Sequence, residues 1–135
     1  SARLQTPVPW LFAAGNCLAP FDLVDTVASL GERAGAAAAR FARGELPPSP
    51  TVALRRGEGV AVLVPSTVVP AEPATLHLRA TRAMAAARVS VGPDGVGHTA
   101  RGVRPAEMIE VRLTSEETEA MAHRREVAVE VTELR

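Results

Sequence analysis

The chain has no lysine and no tyrosine, and its single cysteine is Cys17. One thiol excludes an internal disulfide and, within this chain, a redox-active cysteine pair. Aromatic residues make up only 3% of the chain, against 47% apolar overall. Alanine supplies much of that fraction, so the core must be packed in small increments. All fifteen basic residues are arginine and are balanced by fifteen acidic ones. A net charge of zero gives no broad field for nucleic acid or an anionic membrane, and Arg55-Arg56 and Arg124-Arg125 are too few for a nucleic-acid patch. No run approaches the roughly 18 apolar residues of a membrane span, and no signal peptide opens the chain, so the expected location is cytoplasmic. His77, His98 and His123 are scattered without metal-ligand spacing and read as solvated or structural. No Ser-His-Asp set supports a hydrolase, and no residue is assigned a catalytic role. A G-x-G-x-x-G after a strand is also missing, because Gly92, Gly95, Gly97 and Gly102 are too irregularly placed to open a Rossmann helix.

What is present is concentrated first in Trp10–Arg43. Trp10-Leu11-Phe12-Ala13-Ala14 has the length of a buried strand, and Gly15-Asn16 is a strong turn signal. Beyond Pro20 the apolar residues Val24, Val27, Leu30, Ala34, Ala38 and Phe41 recur at helical spacing. Asp22 is placed to cap that helix, and Asp25 to favour its first turn. Gly31 and Gly35 each cost about 1 kcal/mol in a helix interior. With Ala39 they form a bare face that suits a closely packed neighbour, with or without a ligand. Cys17 reads as a buried, inert thiol.

The ordered set PVPWLFAAGN and DLVDTVASLGERAGAAAARF resembles the last cofactor-binding segment of the pyridine nucleotide-disulfide oxidoreductase superfamily, whose pattern is T-x-x-P-x-x-[FY]-A-x-G-D. Thr6, Pro9, Phe12, Ala13 and Gly15 match it, and Asn16 stands where the family has Asp. GVAVLVPSTV, LHLRAT and RPAEMIEV are similar to a C-terminal extension found in one subgroup. The resemblance implies an FAD site. Gly15 and Asn16 would lie on the ribityl-phosphate side, and Asp25, Thr26 and Val27 near the pyrimidine edge. It also implies hydride transfer with NAD(P), bound through a region outside this chain. Read without the resemblance, Asn16 is a plain turn residue that tolerates left-handed geometry.

Residues 44–50, with three prolines, read as a stiff connector. From residue 51 the pattern is β: Val60–Val64, Thr75–Thr81, Arg88–Val91, a turn over Gly92–Gly95, a return over Val96–Arg101, Met108–Leu113 and Glu126–Thr132. A short polar helix over Ser115–Arg124 is announced by Thr114 or Ser115 with Glu117 or Thr118. The expected fold is α+β. A strand-turn-helix unit over 1–43, a remnant of an FAD-binding Rossmann-like domain, is followed by a linker over 44–50 and a small antiparallel β-sandwich or barrel over 51–135.

Two functions follow. One is the C-terminal portion, or a subunit, of a flavin-dependent oxidoreductase, completing an FAD site with upstream residues or a partner chain. The other is a non-catalytic β-sandwich interaction or assembly module. An open strand edge along Trp10–Ala14 predicts pairing with a partner chain or a second copy.

Overall fold

Gly44 divides the molecule: the long helix precedes it and the sheets follow. The computed structural model describes residues 1–93 and 97–134. Helix α1 spans Val24–Ala42, where the apolar spacing places it. Its end is a Schellman motif, in which Glu45 N–H donates to the Arg40 carbonyl and Gly44 N–H to that of Phe41. Gly44 makes this reversal at φ 72°, in the left-handed region that a side chain disfavours. Leu30 and Ala34 are buried beneath α1, and Phe41 meets Phe12 edge-on at 6.1 Å.

The strand expected over Trp10–Ala14 does not form. One antiparallel bridge, Gln5 to Phe12, is the only sheet pairing there among the described residues. Ala13 N–H donates to the Leu4 carbonyl and Thr6 N–H to that of Leu11, so the chain doubles back around Pro7 and Pro9. Those prolines supply no N–H, and the stretch can pair only with residues 4–6. Trp10 is 70% exposed. Gly15–Cys17 then makes one turn of 3₁₀ helix. The Rossmann-like strand-turn-helix unit thus reduces to a hairpin-like bend, a tight turn and α1.

Eight strands follow: β1 Val52–Arg56, β2 Val60–Val64, β3 Thr67–Val68, β4 Ala74–Ala80, β5 Met84–Val91, β6 Gly97–Val103, β7 Ile109–Leu113 and β8 Glu126–Glu133. They form a curled five-stranded sheet in the order β3-β1-β8-β5-β6 and a three-stranded antiparallel sheet in the order β2-β4-β7. The all-antiparallel expectation fails at one seam, because β1 and β8 pair in parallel. As the first and last strands of the region they need no hairpin between them, so nothing forces them antiparallel. The turn expected over Gly92–Gly95 and the start of its return arm at Val96 fall partly outside the described residues.

Gly57 and Gly59 carry the chain from one sheet to the other. Gly57 N–H donates to the Val129 carbonyl, and Val131 N–H to that of Glu58, both at 2.8 Å. Thr81 N–H then takes the Gly59 carbonyl at 2.9 Å. A side chain at Gly59 would collide with the Val131 carbonyl. Helix α2, Ser115–Glu119, starts with a reciprocal capping box between Thr114 and Glu117. It is shorter than expected, since the chain continues in turns that bury Met121.

The main core lies between the two sheets, around Leu76, Leu78, Val89 and Val129. Along β8, Val127, Val129 and Val131 point in and Glu126 and Glu130 point out, the alternation expected of a half-buried strand. Strand β4 differs: Leu76, His77 and Leu78 are all buried. One of its faces packs into the sandwich and the other lies under the N-terminal arm and α1. No described helix is long and apolar enough to cross a membrane.

Candidate functional site

Gly15 is buried and holds φ 67°. A Cβ there would stand 3.1 Å from Val27 Cγ1, so this glycine lets the turn close against the first turns of α1. Asn16 is exposed, and its Oδ1 accepts from Phe21 N–H at 3.1 Å. That bond is the work of a turn residue. Cys17 is exposed rather than buried, with its thiol donating to the Ala14 carbonyl at 2.8 Å. A single 3₁₀ turn on the surface gives it nothing to bury against.

The N-terminus of α1 has no side-chain cap, because Leu23 occupies the cap position. Asp22, expected to cap it, is used elsewhere. Its carboxylate pairs with Arg79 on β4 and accepts from Met108 N–H at 2.8 Å. Helical bonding therefore starts with Val27 N–H on the Leu23 carbonyl, and the first-turn amides of Val24, Asp25 and Thr26 have no intrahelical acceptor. Asp25 is exposed, and Thr26 and Val27 are half-buried. Val8, Trp10, Leu11, Leu23 and Val24 are large apolar side chains left exposed on the N-terminal arm and the start of α1.

Asp25 and Thr26 also border a polar cleft of about 430 Å³ between α1 and the outer face of the three-stranded sheet. Its roof continues along α1 through Ser29 and Arg33. Its floor is two directly opposed cross-strand pairs, Thr75 with Arg112 and His77 with Glu110. Gly15, Asn16 and Val27 lie outside its lining, so the five residues named from the sequence divide into a turn-and-helix contact and a cleft wall. Arg112 Nε donates to Glu110 Oε1 at 3.0 Å, which removes most of the free charge from the floor.

His77 is the residue the sequence placed without distinction. It is 4% exposed, and its Nε2 is buried without a hydrogen-bond partner. Burial pushes its imidazole below the ordinary pKa. Glu110 pulls it up and Arg33 pushes it down, both less strongly. Its position on the polar side of an alternating strand read as solvated or structural. Nothing local to β4 announces that α1 and Phe21 cover that side. Among the described residues, no three His, Cys, Asp or Glu side chains converge as a metal site would require.

The bare stripe of α1 also departs from expectation. Neither Gly31 nor Gly35 has an atom within 4 Å of where a Cβ would stand. The helix buries an adjacent face, through Leu30 and Ala34, and the glycines are exposed. No protein-family model, curated protein or solved structure matches the chain.

Proposed function

We propose that this chain is the C-terminal portion, or a completing subunit, of an FAD-dependent oxidoreductase that transfers hydride with NAD(P). The observation that carries the reading is the close seat of Gly15 on Val27 beside an uncapped α1. Backbone N–H groups at such a turn and helix end are suited to anionic and carbonyl acceptors. The donor set fits a flavin. Asn16 retains its NH₂ for a ribityl hydroxyl or phosphate oxygen, and the open amides of Asp25 and Thr26 suit the carbonyl edge of the pyrimidine ring. In this reading the ribityl-phosphate side lies at Gly15–Asn16, as the family resemblance implies.

When bound, the flavin supplies the hydride chemistry. This chain's residues bind and orient it. Gly15 admits the close approach, Asn16 donates a hydrogen bond, and the α1 amides favour negative charge on the reduced ring. The nucleotide-binding fingerprints belong to upstream residues or another chain. The exposed Val8, Trp10, Leu11, Leu23 and Val24 are the surface those residues would cover.

Titration of FAD fluorescence tests the reading. The 135-residue chain should leave FAD unquenched, and adding the upstream region or partner subunit should produce saturable quenching. Gly15→Val in that complete protein should abolish flavin binding; full flavin occupancy would overturn the assignment. An absence of quenching in every combination would favour the interaction module, with the same exposed apolar residues as its contact surface.

A further inference from the structure

Pro20–Asp22 is one of the places where the helical arm is fastened to the sandwich, another being Arg3 on Glu72. The Phe21 ring stands edge-on to the His77 imidazole, with centroids 5.2 Å apart and planes at 84°. Asp22 bridges Arg79 and the Met108 N–H, while Arg79 also donates to the Pro20 carbonyl at 2.6 Å. Thr75, His77 and Arg79 are alternate residues of β4 and so occupy one face of the sheet. His77 sits within this fastening, and its Nε2 is sealed without an acceptor or donor.

The charged groups around His77 are largely spent on one another. Glu110 and Arg112 from β7 pair at 3.0 Å. Asp22, ahead of α1, pairs with Arg79 of β4. Asp25 and Arg33 face the cleft from α1. Two of these three carboxylates are paired. Asp25 stands at the cleft without an ion pair among the described residues, while Arg33 donates to the Ala2 carbonyl, and burial of the ring outweighs the pull of Glu110. A proton on His77 would create a buried cation whose new N–H lacks an acceptor, a costly state in a low-dielectric site. Lifting the covering segment relieves it. That movement leaves the sandwich intact, because Leu4, Leu30 and Ala34 form a cluster separate from the core between the sheets.

We propose that Pro20–Asp22 is a proton-released latch: protonation of His77 detaches this segment and α1 from the outer face of the β2-β4-β7 sheet while the two-sheet core stays folded. The latch does not rest on the flavin reading. Burial lowers the docked imidazole's pKa, and that fixes the sign. Docking has its full strength above the free imidazole value of about 6.5 and weakens as pH falls below it. The loss stops growing once pH is below the lowered pKa of the docked form.

Amide hydrogen exchange on the full chain at about pH 7.5 and about pH 5.0, corrected for the intrinsic chemical rate, reads this directly. Amides of α1 should lose protection at the lower pH, the direction set by the lowered pKa of the docked imidazole. Those of β4, β5 and β8 should be unchanged. His77→Leu should show the same α1 protection at both pH values. A pH response that survives in His77→Leu, or a parallel loss across the sheets, would overturn the latch. Should the variant fail to fold, titration of the His77 ring resonances in the unmodified protein decides. A midpoint below the free value supports the latch, and one at or above it refutes it.

Discussion

The helical arm and the sandwich differ in how they are held together. Among the described residues, the sandwich has nineteen buried apolar side chains in one cluster, and the buried cluster of the arm has three. The sandwich resists change by packing. The arm depends on polar staples: Asp22 to Arg79, and Arg3 to Glu72, Ser49 and the Pro47 carbonyl. Packed apolar area responds little to pH or salt, whereas polar staples respond to both. One chain thus joins a rigid body to a part whose attachment depends on conditions.

The sharpest way to break this contrast is at Leu78, which is fully buried. Leu78→Ala should cost about 3 kcal/mol and lower the urea midpoint of the whole chain. An equal loss confined to helix signal would show that the two regions are not independent. Leu30→Ala should cost about 2 kcal/mol, less because the cluster around it can collapse. The loss should appear as helix melting by circular dichroism, with sheet amide protection retained. Asp22→Ala removes one partner from Arg79, whose side chain is 17% exposed. It should weaken arm docking by about 1–2 kcal/mol, read as faster exchange in α1 and no change in β8.

The smallest expected effect has the opposite sign. Gly35→Ala adds a methyl group where nothing stands within 4 Å. It should stabilise α1 by about 0.5–1 kcal/mol through helix propensity, seen as a higher helix melting temperature. A loss of stability in this chain would mean that the outward face is already occupied. In a complete flavoenzyme, weakened assembly in the same variant would identify that stripe as buried there.

The parts legible in the sequence are those governed by neighbours along the chain. The boundaries of β2 follow from an apolar run held between Gly59 and Pro65, and the end of α1 from Gly44. The capping box of α2 is written in Thr114 and Glu117. Long-range matters were not legible. β1 ends in Arg55-Arg56 and β3 has two residues, so neither carries a clear strand pattern. The parallel β1–β8 pairing joins residues more than seventy positions apart. Trp10–Ala14 has the composition of a buried strand, but a strand also needs a partner edge, and composition does not supply one. At the candidate site, the role of Gly15 as a tight turn was legible from its type and position. The diversion of Asp22 to Met108 and the enclosure of His77 were not, because both depend on where α1 comes to rest.

The parallel seam between β1 and β8 also sets how the sandwich bears a load. A pull on the chain ahead of Val52 and beyond Glu133 draws two adjacent parallel strands in opposite directions along their own length. Their hydrogen bonds are then loaded together in shear, instead of opening one after another as in a hairpin pulled from its ends. The helical arm hangs on a few staples and would let go early. In a force-extension measurement this gives a first, low-force release of α1, followed by one abrupt rupture as the seam between the first and last strands fails.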